Sequence, residues 1–337
     1  MKANSKTPIH LVLGSGGARG LTHIGVIRVL LEQGFEIRSI TGCSMGSLVG
    51  ALYVSGHLKD YEDWVCSLSR WDVLRFLDIS LLGRAGMVKG DKLMERLAEW
   101  LSGVDMESLD IPLTVVAADI VSRKEVWIQR GDLLEAVRAS IAVPGVFTPL
   151  VKHGRILVDG GILNPLPIPP SGMDNTVQTV AVSLSGREVA HPFGALEALV
   201  DPEQEKDAVG VSEAANDGDD EPAAESSESF LDSLQRFFGR ERNGVEVDEE
   251  ELEEVAAKSD AEEEHRQLER PALTDVMLGM FNTMQDTIAR HQLAGNPPDI
   301  LIDIPCNICE SHEFFKASEL IPAGEYWARR ALGDQQD

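Results

Sequence analysis

A serine held between glycines at two-residue spacing is the first place in this chain where chemistry could be done. Gly42-Cys43-Ser44-Met45-Gly46 spells G-x-S-x-G between an apolar run ending near Thr41 and a helical pattern beginning at Met45. A serine on so tight a strand-to-helix turn exposes its Oγ, and glycines at 42 and 46 remove side chains that would collide there. The N-terminus of the following helix places positive potential beside it. The chemistry suggested is nucleophilic attack on an acyl carbon; the plain alternative is a structural turn. A working nucleophile also needs a base and donors for an oxyanion.

Donors are available upstream. Gly14-Ser15-Gly16-Gly17-Ala18-Arg19-Gly20 follows one strand pattern and opens a helix, so its backbone N–H groups can face an anion. A dinucleotide pyrophosphate is one candidate, but the G-x-G-x-x-G register is imperfect: the frame ending at Gly20 starts on Ser15, and the frame from Gly14 ends on Arg19. No acidic residue closes the second strand to hold a ribose, because Glu36 precedes that strand. A transient oxyanion fits better, since Ser44 stands at the tip of the adjacent strand.

A base is offered by Asp159-Gly160-Gly161, which follows the short apolar run Ile156 to Val158. A carboxylate at a strand end can point into a site while two glycines turn the backbone away. An ordinary aspartate titrates near ~3.9, too low for an efficient base, so burial beside the serine is expected to raise it. Asp119 also ends a strand but lacks the glycine pair, and reads as a turn cap. An α/β-hydrolase triad would need a histidine after the acid. His191, His265, His291 and His312 are available, none in a recognisable loop motif; His23 and His153 read as structural or exposed.

The elements that must position these groups alternate. Ile9 to Leu13 reads as a buried strand, Leu21 to Gln33 as a helix stopped by Gly34, Ile37 to Thr41 as a second strand and Ser44 to Val54 as a second helix. Leu113 to Ala118 is a further strand with Glu125 to Ile128 as its hairpin partner. Asp132 to Ser140 is helical. Ile156 to Val158, Val177 to Val182 and Ile300 to Ile304 are strands. This order implies a parallel sheet covered on both faces.

The chain has 337 residues, 43% hydrophobic and 26% charged, enough to bury a full-sized core. Its net charge of −26 is concentrated: residues 201 to 270 hold 25 acidic and 7 basic side chains, a balance of −18. A nucleic-acid partner is excluded by that acidity. Residues 186–270 therefore read as an acidic, largely disordered insertion. Within it Phe230, Leu231, Leu234, Phe237 and Phe238 recur on one face of a short amphipathic helix near 229–240. That face could dock on the parent domain, bind a protein partner or lie on a membrane; the surrounding negative charge favours the first two. Leu273, Val276, Met277, Met280, Phe281, Met284 and Ile288 then form an apolar stripe, read as a core helix returning the chain to the sheet.

The four cysteines are too few for a disulfide scaffold, and Cys306 and Cys309 form a lone C-x-x-C with no partners to complete a zinc site. No metal is expected. No run of 18 apolar residues spans a membrane and no leader pattern opens the chain, so a cytoplasmic location is expected. Trp71, Phe76, Leu77, Leu81 and Leu82 read as core, although an acyl-chain wall would need the same residues.

Taken together, GSGGARGLTHIGVIRVL, GCSMGSLVGALY, AVRASIAVPGVFTPL and LVDGGILNPLP resemble the patatin-like phospholipase family. The resemblance covers about residues 8 to 185 and resumes near 271 to 333. It implies a three-layer α/β/α sandwich with a mostly parallel central sheet, in one domain built from 8–185 and 271–333 behind a tail at 1–7. It implies a Ser–Asp dyad without histidine, with Ser44 as nucleophile, Asp159 as base, and Gly16, Gly17, Ala18 and Arg19 as the oxyanion hole. Gly14, Gly20, Gly42, Gly46, Gly160 and Gly161 support these motifs. The expected activity is hydrolysis of lipid esters, (lyso)phospholipids or related lipids, at a membrane or micelle surface, without cofactor, by a cytoplasmic protein that can visit membranes. The departures from the family pattern are Ser15 in the glycine loop and the long insertion. The alternative from another class is a non-enzymatic lipid- or protein-binding module on the same fold.

Overall fold

Two apolar runs flank the first glycine loop, and in the computed structural model they become β1 (Thr7–Leu13) and β2 (Phe35–Cys43), paired in parallel and joined through α1 (Thr22–Glu32). The structure describes residues 6–76, 91–144, 146–169, 177–193 and 273–333. Every second residue of β1 from Ile9 is fully buried, as are Val12 and the end of the strand, so both faces of the sheet are covered.

The sheet continues outward through β3 (Leu113–Asp119) on one side of β2 and through β7 (Gln178–Gly186) and β8 (Ile300–Pro305) on the other side of β1, all parallel. Three antiparallel strands complete eight: β4 (Lys124–Ile128) and β6 (Arg155–Asp159) against β3, and β5 (Leu150–Lys152) against β6. Helices α2 (Met45–Val54), α6 (Leu133–Ser140), α7 (Leu273–Gly295) and α8 (Ala317–Gly333) flank it. This is a mixed α/β fold with a mostly parallel central sheet between helical layers.

One strand does the positioning. The edge of β3 opposite β4 is shared by two strands: β2 ends with Cys43 beside Val116, and β6, running the other way, ends with Asp159 beside Ala117. The last residues of β2 and β6 therefore meet at consecutive positions along one template strand.

Three helices, α3 (Leu58–Cys66), α4 (Arg70–Phe76) and α5 (Asp91–Leu101), go beyond the elements expected from periodicity, because their sequences are charged and bury few residues: Tyr61 and Val65 in α3, Val73 in α4, Leu97 and Leu101 in α5. Trp71 and Phe76 lie on α4, while Leu77, Leu81 and Leu82 fall outside the described residues. The amphipathic segment near 229–240 and most of the acidic insertion fall outside them as well. The parent domain runs on past residue 186: Val189 exchanges hydrogen bonds with Asn307, and Trp327 donates to the Pro192 carbonyl. Residues 202–280 constitute a separate unit, of which only 273–280 are described.

The stripe expected to face the core on α7 does so only in part, at half-buried Phe281 and Ile288. Val276, Met277, Met280 and Met284 are exposed, and the buried positions are Gln285 and Ala289. The helix meets the sheet where small and polar side chains allow close approach, a face that counting apolar residues cannot locate. Ala289 packs with Val12, Leu166, Ile168 and Ala181. Among the described residues no helix is long and apolar enough to cross a membrane.

Candidate active site

Ser44 is the hinge between β2 and α2, with φ 52° and ψ −123°. A non-glycine residue with positive φ costs on the order of 1–3 kcal/mol and persists only where its surroundings hold it. Those surroundings are specific. The Ser44 carbonyl accepts from the amides of Ser47 and Leu48 at 2.9 and 3.1 Å and from the Ser47 hydroxyl at 2.6 Å. The Ser44 amide donates to Ser140 Oγ at 2.9 Å, and that hydroxyl donates to the Val116 carbonyl at 2.6 Å. The flanking glycines are required by contact: a Cβ at Gly42 would lie 2.5 Å from the Gly46 carbonyl oxygen, and one at Gly46 would collide with the Leu13 carbonyl.

Two expected results follow. Gly46→Ala forces the elbow off β1 and should destabilise the protein by about 2–4 kcal/mol, read as a shifted denaturation midpoint. Ser140→Ala leaves two buried backbone groups unpaired, the Ser44 N–H and the Val116 carbonyl. It should cost about 1–3 kcal/mol and slow any reaction at Ser44, measured by urea titration alongside labelling kinetics.

Asp159 caps the 3₁₀ turn that follows β6 and is fully buried. Its amide donates to the Ala142 carbonyl at 2.9 Å, and Oδ1 accepts from the Gly161 amide at 2.7 Å. Burial pushes the carboxyl up to about 7, against the opposing pull of the Ser44 hydroxyl and the Gly161 amide. Its Oδ2 is buried with no partner among the described residues. Beside it, Cys43 Sγ lies 4.0 Å from Oδ1, and its thiol is pushed well up by burial and then by the carboxylate charge.

The glycine loop is tied down at several points. Gly14 donates to the Val182 carbonyl at 3.1 Å and Ser15 to that of Pro165 at 2.8 Å. Gly17 sits at φ +57° with its Cα against the Ser311 carbonyl, a position no side chain could share. The amide of Ala18 is donated to that same carbonyl at 2.8 Å, which removes it from the expected set of anion donors. The Arg19 guanidinium is likewise committed, to the carbonyls of Gly16, Leu184 and Cys306 at 3.2, 3.2 and 3.3 Å. It braces the loop from behind. The amides of Gly16 and Gly17 donate to no group among the described residues.

Other candidates fall elsewhere. Asp119 accepts from the Val121 amide and the Ser122 hydroxyl, and those bonds, the serine's first, hold its carboxyl below the usual range: it caps a turn. His23 is fully buried, its Nε2 lies 2.9 Å from the Gly14 carbonyl, and burial lowers its pKa to about 4. Among the described residues no histidine hydrogen-bonds to Ser44 or Asp159; His265 lies outside them. Cys306 and Cys309 are free thiols, Cys309 pushed up to about 12 by burial. Sequence reasoning missed two residues that the fold brings in. Ser140 carries no signal beyond its place in a resembling stretch. Gln285 is a lone polar residue on a helix whose apolar stripe dominates its pattern.

A buried acid at a strand end thus stands beside a strained serine elbow and a glycine loop. The chain belongs to the patatin-like phospholipase family, a family of lipid hydrolases, whose model matches residues 11–170. An uncharacterized NTE family protein of Mycobacterium tuberculosis is 38% identical over 344 residues, covering 98% of this chain and 93% of the relative. The neuropathy target esterase sws of Drosophila melanogaster is 32% identical over 166 residues, which take in 47% of this chain and only 12% of that protein. Among solved structures, VipD from Legionella pneumophila aligns over 98% of this chain and 67% of its own, with a TM-score of 0.43 and 15% identity.

Proposed function

We propose that this protein is a serine lipid acyl hydrolase that cleaves carboxylic esters of lysophospholipids, phospholipids or related lipids. Ser44 Oγ attacks the ester carbonyl carbon while Asp159 takes its proton, and the Gly16 and Gly17 amides receive the oxyanion. Collapse of the tetrahedral species expels the alcohol, which leaves with the proton held by Asp159. Water then attacks the acyl–serine ester and gives a proton to the same carboxylate, which passes it to Ser44 Oγ as the acyl–oxygen bond breaks and the fatty acid leaves. The scheme calls on no metal or organic cofactor.

One observation carries the reading: the ends of β2 and β6 abut on β3, which brings a strained serine to a buried carboxylate titrating near about 7. A base poised near neutral pH takes a serine proton more readily than an ordinary aspartate. The resemblance to a protein named an esterase supports an ester as the bond cleaved. Because the substrates are lipids, catalysis is expected at a vesicle or micelle surface.

The test is fatty-acid release from lysophosphatidylcholine micelles and phosphatidylcholine vesicles, with and without prior fluorophosphonate treatment. Release abolished by one covalent adduct supports the reading. A folded protein that binds these lipids, takes no adduct and releases nothing would favour the binding-module alternative.

A further inference from the structure

Gln285 is carried into the site by α7, on its buried face with Ala289. Its side chain is buried, with the residue only 4% exposed, and its Oε1 accepts from the Ser15 hydroxyl at 3.2 Å. Its Nε2 is buried without an acceptor among the described residues. A Cβ placed on Gly161 would collide with that Nε2, and would stand 2.9 Å from Ser15 Oγ and 3.0 Å from Asp159 Oδ1. The glutamine amide, the glycine-loop hydroxyl and the acid thus crowd around one glycine Cα. The helix beneath is fixed, because Ala289 packs into the small cluster on the sheet and Asn296 Nδ2 donates to the Pro169 carbonyl at 2.7 Å.

A buried amide with an unmade hydrogen bond costs free energy that a methionine or leucine of similar volume would not. Packing alone does not account for a glutamine there. We infer that Gln285 is a positioning residue, which braces the Ser15–Gly17 loop against the Asp159-Gly160-Gly161 turn so that anion donors and acid keep their spacing about Ser44. Ser15 is the contact through which it acts. Its hydroxyl is the handle by which α7 holds the loop. The inference rests on the Ser44 reading above.

The experiment uses the full chain with Gln285→Met, Ser15→Ala and the double variant. Two quantities are read: the second-order rate of fluorophosphonate labelling at Ser44, and kcat and KM on a soluble short-chain p-nitrophenyl ester. Each single change should slow labelling by about tenfold and lower kcat, with KM held within about twofold, since loosened donors affect the transition state and not substrate binding. The double variant should be no more than about threefold slower than the worse single, because both changes remove one shared contact. Near-wild-type rates in either single variant overturn the inference, as does an additive loss of about a hundredfold in the double. If Gln285→Met fails to fold, judged by its thermal melt, Ser15→Ala alone carries the decision by the same criteria. Wild-type protein that takes no label overturns the Ser44 reading and this inference with it, whereas labelled wild type with unaffected variants overturns this inference alone.

Discussion

Ser44→Ala should remove fluorophosphonate labelling and lower the proposed lipid-ester hydrolysis by at least about 10⁴-fold, the scale seen when the nucleophile of a cooperating serine constellation is deleted. The protein stays folded, because the residue is nearly buried and its backbone bonds to Ser47, Leu48 and Ser140 do not involve the lost hydroxyl. A companion variant separates strain from chemistry. Ser44→Gly should be equally inactive yet more stable than Ser44→Ala by about 1 kcal/mol, because glycine adopts φ near 52° without penalty. Intact-mass labelling and thermal melts of the three proteins read both effects. A Ser44→Ala protein that is still labelled would place the nucleophile elsewhere.

Asp159→Asn is the second large effect, and it acts in opposite directions on rate and on stability. The rate should fall by about 10³-fold or more, because an amide cannot accept the serine proton as the proposed base does. With Asp159 as the proposed base its carboxylate form is the working one, so kcat/KM on a soluble ester should fall as pH drops through about 7 and level off above it. The residual rate of the variant should lack that limb.

Stability runs the other way. The folded-state pKa stands near 7 and the ordinary value at 3.8, so between them the folded chain holds a proton that the unfolded chain has released. Stability therefore declines as pH rises through that window, by up to about 4 kcal/mol by pH 8, and is unaffected by this group below about pH 4. Asparagine, neutral and of the same shape, is free of that cost. Asp159→Asn should thus melt higher than wild type at pH 8 and at the same temperature near pH 4. Equal melting temperatures at pH 8 would mean that the carboxyl is not held up by burial.

Much of the site is legible in the sequence because its demands are local. A serine at positive φ between two close backbone approaches leaves only glycine for positions 42 and 46, so the elbow is written in the chain itself. The direction of the Asp159 shift follows from a carboxyl placed at the end of an apolar strand. The alternation of strand and helix patterns is enough for a mostly parallel sheet, since a parallel connection needs a crossover.

What stays hidden is contact between distant segments. That Ala18 gives its amide to Ser311, and Arg19 its guanidinium to Leu184 and Cys306, depends on β7 and a C-terminal turn packing against the loop, and no spacing within the motif encodes it. The face that α7 turns inward is chosen by how closely a helix can approach the sheet, which favours Gln285 and Ala289 over the methionines. Ser140 comes into play because the strained elbow leaves an amide needing a partner.

The order of residues along the chain thus dictates which groups could act and the turns that present them, because backbone clearance at a glycine is a property of a few consecutive residues. The meeting of Ser44 with Asp159 belongs to the folded sheet alone. Their strands run in opposite directions and are brought end to end by β3, and that register is set by the burial of the whole sheet between its helices.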